Sequence, residues 1–284
     1  MITTRHRFLL FAAVTLLLAW VNPSATAADG PKKLLVVTTT VGFPHSSIPT
    51  AEKVLTQMGD KSGVFTVEIV RSGPRPRDKE QATAWMDKMT KDLAEKMNPE
   101  ALKKYDGFIF ANTTGVLPLP DKQAFLAAIR SGKAFVGMHS ASDTFHGEKG
   151  TVDPYIEMLG GEFLTHGAQA GVECLLRDPN HPATLKKDFG ESFCIEQEEI
   201  YLMKNYDSSK VHELLVLDKH PNKKTEKGHF PVAWCKEYGA GKVFYTSLGH
   251  REDVWENARY QKHILGGIKW ALGMEPGDAK PQTK

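Results

Sequence analysis

In the first half of the chain, unbroken apolar runs alternate with segments of helical period. Lys33 to Thr40 is β-branched and uncharged beyond its start, which predicts a buried first strand; Phe65 to Val70, Tyr105 to Ala111 and Ala134 to Gly137 predict three more. Between them lie predicted helices over Pro49 to Gln57, Ala82 to Met97 and Asp121 to Arg130. The middle one places Trp85, Met86, Met89, Leu93 and Met97 at helical spacing, a pattern of core packing. Strand and helix in strict alternation imply a parallel, doubly wound sheet.

The second half is patterned differently. Val172 to Leu176, Phe193 to Gln197, Glu213 to Leu217, Pro231 to Tyr238 and Lys242 to Ser247 read as strands with few helices between them. Tyr238-Gly239-Ala240-Gly241-Lys242 predicts a hairpin turn, and Val254 to Leu272 a closing helix. The expected architecture is one α/β domain over residues 31–273, a parallel sheet flanked by helices with a more antiparallel C-terminal extension. A disordered tail is expected over residues 274–284.

The N-terminus has its own pattern. Arg5, His6 and Arg7 precede an apolar stretch from Phe8 to Val21, and Ala25-Thr26-Ala27 offers the small residues of a cleavage site. That run is shorter than the ~20 residues of a permanent membrane span. The expectation is a signal peptide over residues 1–27 and a mature chain exported to the periplasm or beyond, with no stable membrane anchor after processing. Charge is close to balanced, 36 Lys+Arg against 34 Asp+Glu, which argues against a nucleic-acid partner. Cys174, Cys194 and Cys235 sit in strand-like runs and read as small buried hydrophobes; a Cys174–Cys194 bridge is the one pairing considered.

Candidate chemistry gathers at predicted strand ends. Ala134-Phe135-Val136 runs into Gly137-Met138-His139-Ser140-Ala141-Ser142-Asp143, with Gly137 expected to permit a sharp turn. His45 follows the first strand, His250 the last, and His166 follows Gly160-Gly161-Glu162-Phe163-Leu164-Thr165. Loops after parallel strands converge on one sheet edge, so several imidazoles can meet there. No compact metal motif is present, so a metal site depends on the fold assembling distant residues. In Glu196-Gln197-Glu198-Glu199-Ile200-Tyr201, alternation puts Glu196 and Glu198 on one face and Glu199 on the other. Phe145, Trp234 and Trp255 are candidates for stacking on a sugar, with Trp234 also readable as core. His181, His212, His220, His229 and His263 read as structural. Ser140 beside His139 invites a nucleophile assignment, although no Gly-x-Ser-x-Gly elbow surrounds it.

Several ordered blocks together resemble the trehalose-utilisation (ThuA-like) family. They are Gly42-Phe43-Pro44-His45-Ser46-Ser47-Ile48, Gly137 to Asp143, Gly160 to His166, Glu198-Glu199-Ile200-Tyr201, Pro231-Val232-Ala233-Trp234 and Gly241 to Arg251. The likeness runs from about Lys33 to Gly273. It implies a flavodoxin-like, class I glutamine amidotransferase-like fold and a link to disaccharide and keto-sugar metabolism. Where true amidotransferases carry a cysteine nucleophile this chain has His139, so a cysteine-dependent glutaminase is not expected.

The resulting expectation is an exported enzyme acting on a small saccharide, a keto-sugar or a glycoside. One divalent metal, zinc or manganese, would be held by His139, His166 and Glu198. His45, His139, Asp143 and His250 would serve proton transfer and positioning, and Ser140, Glu199 and Arg251 would contact substrate. A non-catalytic saccharide-binding protein is the alternative, and a Ser140 hydrolase a third reading.

Overall fold

Side chains of the first strand point alternately into two apolar layers, which is why its sequence carries no polar alternation. In the computed structural model, which describes residues 30–223 and 227–282, this strand is β1 (Lys32–Val37). Leu34 and Val36 enter one core cluster, Leu35 and Val37 the other. The predicted signal peptide lies outside the described residues.

The other strands are β2 (Phe65–Val70), β3 (Gly107–Ala111), β4 (Ala134–Met138), β5 (Glu162–His166), β6 (Ala170–Leu176), β7 (Ser192–Glu198), β8 (Tyr201–Lys204), β9 (His212–Lys219), β10 (Lys227–Tyr238) and β11 (Gly241–Thr246). Nine of them form one sheet in the order β2-β1-β3-β4-β11-β10-β9-β6-β7. β1 to β4 are parallel, β11 joins β4 in parallel, and the pairings from β11 outward to β7 are antiparallel. This is the mixed α/β sheet expected from the change of pattern midway along the chain. The expected hairpin joins β10 to β11.

Helices Ile48–Ser62, Lys79–Met97 and Lys122–Arg130 make the crossovers between the parallel strands. Asp78 and Asp121 cap the latter two, each carboxylate accepting a backbone N–H of the first turn. The closing helix differs from its prediction. It divides into Glu252–Glu256 and Ala258–Ala271, because Asn257 takes an extended backbone and its side chain caps the second segment through the N–H groups of Arg259 and Tyr260.

One further expectation needs correction. The segment after Gly273 is not frayed over its described length. The Lys280 carbonyl meets His212 Nδ1 at 2.7 Å, Gln282 Nε2 donates to the Glu213 carbonyl at 2.8 Å, and Trp270 Nε1 donates to Gly277 O at 3.0 Å. Polar composition suggested fraying, whereas His212 and Glu213 at the start of β9 and Trp270 on the closing helix tie the segment down. The Cys174–Cys194 bridge is also absent. Cys174 is buried and Cys194 exposed, since neighbours on adjacent antiparallel strands need not point to the same face. Among the described residues, no helix is long and apolar enough to cross a membrane.

Candidate active site

His139 stands where β4 breaks into a short 3-10 turn, His139–Asp143, at the carboxyl edge of the sheet. Its backbone has φ = 50°, a left-handed conformation uncommon among L-residues, though His, like Asn and Asp, is enriched there. The strained residue is therefore His139 itself, not Gly137 as the sequence suggested. Gly137 lies within β4, where an added Cβ would come within 2.9 Å of Leu159 and 3.1 Å of Tyr245. Tight packing explains that glycine; turning does not. The turn is secured from outside, the Tyr245 hydroxyl donating to the His139 carbonyl at 2.8 Å.

The imidazole is wholly buried and its tautomer is set by a backbone partner. Nδ1 lies 2.8 Å from the Ser247 carbonyl, which can only accept, so Nδ1 carries the proton and Nε2 presents a lone pair. Tyr201 donates to that lone pair at 2.8 Å. His45 Nε2, from the loop after β1, lies 3.1 Å from it, and His250 Nδ1, from the loop after β11, lies 3.2 Å away. The Glu199 carboxylate completes the group at 3.3 Å from His250 Nδ1 and 3.6 Å from His139 Nε2. These ligand-type atoms all fall within 4.8 Å of one another.

Facing imidazole lone pairs repel unless a proton or a cation lies between them. Ligand atoms on a tetrahedral ion at ~2.0–2.1 Å would stand about 3.3 Å apart. The closest spacing is 3.1 Å and all lie within 4.8 Å, so three imidazoles and one carboxylate could hold a divalent ion once they draw together and Tyr201 releases the His139 lone pair.

Glu199, expected to contact substrate, faces the cluster, while Glu198, expected among the metal ligands, binds backbone N–H groups instead. Alternation fails at the end of β7, where Ile195 pairs with Val172 but Glu198 pairs with Ala170, so β7 uses one residue more than β6. This bulge leaves Glu196 exposed, buries Glu198 and turns Glu199 into the cluster. Glu198 is thereby removed from the metal set. Its oxygens accept the N–H groups of Gly249 at 2.9 Å, His250 at 3.3 Å and Glu199 at 2.7 Å. His166, at the end of β5, stays outside the four-residue group but pairs with Glu199 Oε1 at 3.0 Å.

The loop carrying His250 is fixed from several directions. Ser47 donates to the His250 carbonyl at 2.7 Å, and Asn112 donates to both Ser47 Oγ and the Gly249 carbonyl. Gly249 takes φ = 116°, and a Cβ there would meet the Tyr260 hydroxyl at 2.7 Å.

Electrostatics separate the imidazoles. Burial, then the neighbouring His250 charge, depress His45 to about 4. Burial, followed by His45, holds His139 well below the usual histidine range. His250 moves upward: burial opposes its charge, but the hydrogen bond and charge of Glu199 outweigh that. Burial raises Glu198 to about 7 against the backbone N–H groups that favour its carboxylate. At neutral pH, His45 and His139 are lone-pair donors, while burial keeps the Tyr201 phenol protonated as a donor.

A chamber of about 240 Å³ opens onto this cluster, lined also by Thr114, Ser140, Asp143, Phe163, His166 and Tyr201. Ser140 Oγ is 3.5 Å from His45 Nδ1. Asp143 is held at the chamber wall by His146, whose Nε2 lies 2.9 Å away and whose Nδ1 lies 2.7 Å from Glu162. Arg251 is engaged elsewhere, bidentate with Asp253 and bonded to Gln169. Phe145, Trp234 and Trp255 are all buried, which removes them as stacking surfaces; Phe43 and Phe163 line the chamber instead. Tyr201 escaped assignment as a site residue from sequence, although it closes the Glu198-Glu199-Ile200-Tyr201 block.

Among the histidines read as structural, His263 bonds the Ala183 carbonyl, His212 pairs with Asp178 and His229 with Glu213.

The arrangement has relatives. A search of curated proteins finds no match. A ThuA-like protein from Parabacteroides merdae superposes with a TM-score of 0.66 at 18% identity, over 85% of this chain and 90% of the other. A ThuA-like protein from Bacteroides uniformis gives 0.60 at 20% identity, over 88% and 95%. A β-galactosidase from Bacillus circulans shares the fold at 0.51 and 11% identity, over 90% of this chain but only 32% of its own. The family model described as trehalose utilisation matches residues 33–271, a span that includes β1 through the closing helix and every member of the His/Glu cluster; the chain belongs to the ThuA family.

Proposed function

We propose that this chain is an exported enzyme of carbohydrate metabolism, using His45, His139, Glu199 and His250 for metal-assisted acid/base chemistry on a keto-sugar or its glycoside. The observation that carries the reading is the convergence of three imidazole nitrogens and one carboxylate, delivered by separate edge loops, all within 4.8 Å of one another. Structural histidines are usually satisfied singly by backbone or solvent partners, whereas these are directed at one point. Zinc suits three neutral nitrogens and a carboxylate best, with manganese the second choice.

A divalent ion at this point would supply Lewis-acid polarisation of a sugar carbonyl or of adjacent hydroxyls. The surrounding residues provide the rest. Tyr201, protonated and bonded to His139 Nε2, would donate to a substrate oxygen once that nitrogen is otherwise engaged, and Asp143, lining the chamber, would take a proton from a carbon or hydroxyl held there. His166 buffers the charge of Glu199 at the mouth. With proton removal beside a carbonyl and stabilisation of the resulting enediolate, elimination, isomerisation or hydrolysis of a keto-glycoside all become accessible. The family description, trehalose utilisation, supports a saccharide as the small-molecule partner.

The test is elemental analysis of purified wild type, His139→Ala and Glu199→Gln, with turnover of trehalose and keto-trehalose measured in parallel. Near-stoichiometric zinc or manganese in the wild type, lost in the variants together with product formation, is the expected result. Saturable sugar binding with no product on long incubation would replace this reading with that of a saccharide-binding protein.

A further inference from the structure

Glu162 opens β5 with its side chain only 3% exposed, outside the chamber, and the chemistry set out above makes no use of it. Three donors converge on its carboxylate. His146 Nδ1, from the loop after β4, lies 2.7 Å from Oε1. Lys204, opposite Glu162 across the β5–β8 ladder, reaches the same oxygen at 3.0 Å, and Asn205 Nδ2 donates to Oε2 at 2.6 Å. Burial opposes the Glu162 charge, yet these donors together hold its carboxyl below the usual range. A carboxylate withdrawn from water is costly even when paired, so packing alone gives little reason for one here.

The placement of His146 is costly too. Phe145, just before it, takes φ = 58°, a backbone conformation that bulky side chains rarely adopt. Beyond this strained residue the imidazole stands between two carboxylates, Nε2 at 2.9 Å from Asp143 Oδ1 and Nδ1 at 2.7 Å from Glu162 Oε1. Ionised carboxylates only accept, so both ring nitrogens carry protons and the ring is an imidazolium. Among the described residues the Asp143 carboxylate has no other hydrogen-bond partner, which leaves Oδ2 for the chamber that Asp143 lines. A lone cation beside Asp143 would keep it ionised but weaken it as a base. The second carboxylate behind the ring offsets that charge, so Asp143 is anchored and stays basic.

We propose that Glu162 is a positioning residue for proton transfer: through the His146 imidazolium it anchors Asp143 by one carboxylate oxygen and leaves the other to act on substrate. The proposal rests on the reading of Asp143 as the proton acceptor and adds to that machinery a residue outside the chamber. It gives the strained turn at Phe145 and the buried charge of Glu162 one common purpose.

Two measurements on the purified protein test this, in wild type, Glu162→Gln and Glu162→Asp. The first is NMR titration of isotope-labelled histidine, with the His146 signal assigned by its loss in His146→Gln. The ring should be an imidazolium at pH 7 in the wild type, and its midpoint should fall by about one unit or more in Glu162→Gln, which keeps the shape and removes the charge. Glu162→Asp retains the charge and should recover part of that fall. The second is turnover of keto-trehalose. In Glu162→Gln, kcat should drop about tenfold or more with KM and metal content unchanged, and Glu162→Asp should again recover part of the loss. A wild-type ring that is neutral at pH 7, a midpoint unmoved by Glu162→Gln, or a loss that falls on KM or metal content overturns the proposal. Failure of both variants to fold assigns Glu162 to the architecture and overturns it as well. A wild type that titrates as expected but does not turn over the sugar defeats the saccharide reading, and the role of Glu162 falls with it.

Discussion

The Glu198 carboxylate accepts the backbone N–H of Gly249 at 2.9 Å, while the next residue, Glu199, faces His250 Nδ1 at 3.3 Å. Adjacent carboxylates thus serve one loop in two ways, one shaping its backbone and the other meeting its imidazole. Glu198→Ala orphans buried N–H groups in the turn and is expected to destabilise the fold by about 2–4 kcal/mol in urea unfolding. Glu199→Gln keeps the shape and should cost less than about 1 kcal/mol, yet lower metal content and activity at least tenfold. The reverse pattern in unfolding and elemental analysis would contradict this division.

The left-handed backbone of His139 makes a second prediction that is independent of any ligand. Replacement by alanine retains a Cβ at φ = 50°, and replacement by glycine removes it. His139→Gly should therefore unfold at higher urea than His139→Ala by about 1 kcal/mol, the opposite of the order expected in a helix or strand interior. Equal midpoints would mean that the turn relaxes once the imidazole is gone.

These positions mark how far the sequence could be read. Gly107–Ala111 is legible because every side chain of an interior crossover-linked strand is buried, whereas Phe65–Val70, at the sheet edge, is legible from its β-branched run despite an exposed Thr66 and a Glu68 paired with Lys33 and Lys96. That His45, His139 and His250 meet is legible because parallel strands send their following loops to one edge. Glu198 rather than Glu199 was placed in the cluster because strict alternation was carried through a bulge, and the signal for it, Gly171 packed against the Glu196 carbonyl, lies on another strand. β5 and β8 went unpredicted because they form a short, half-exposed ladder of mixed polarity apart from the main sheet. Tyr201 has no local signature, since its role arises only when β8 brings it beside His139.

The docked C-terminal segment yields a third prediction. Lys280 and Gln282 bond to His212 and Glu213, and Cys235 Sγ lies 3.5 Å from the Asp278 carbonyl. Truncation after Gly273 removes these partners and uncovers the Trp270 indole, which is fully buried in the intact chain. A loss of about 1–3 kcal/mol is expected in urea unfolding, with metal content unchanged because the segment is bonded to residues other than the four cluster ligands. Wild-type stability in the truncated protein would show that the segment contributes little beyond surface cover.

The last prediction concerns pH and a group away from the cluster. His146 is raised to about 9, first by its hydrogen bond to Asp143 and then, against burial, by that to Glu162. Lys204 also reaches Glu162, at 3.0 Å, and is the nearby positive charge that opposes His146. A histidine whose folded-state value exceeds its unfolded value of ~6.5 stabilises the fold fully below that value and loses the contribution as pH rises through the folded one. The side chain is 38% exposed, so solvent screening reduces the effect. Wild type should therefore exceed His146→Gln in unfolding free energy at pH 6, with the gap narrowing steadily towards pH 9.5. Because His146 also holds Asp143 at the chamber wall, the variant should lose turnover at pH 7 while retaining its metal. A stability gap constant from pH 6 to 9.5 would mean that His146 packs there without carrying the charge that Asp143 and Glu162 are placed to hold.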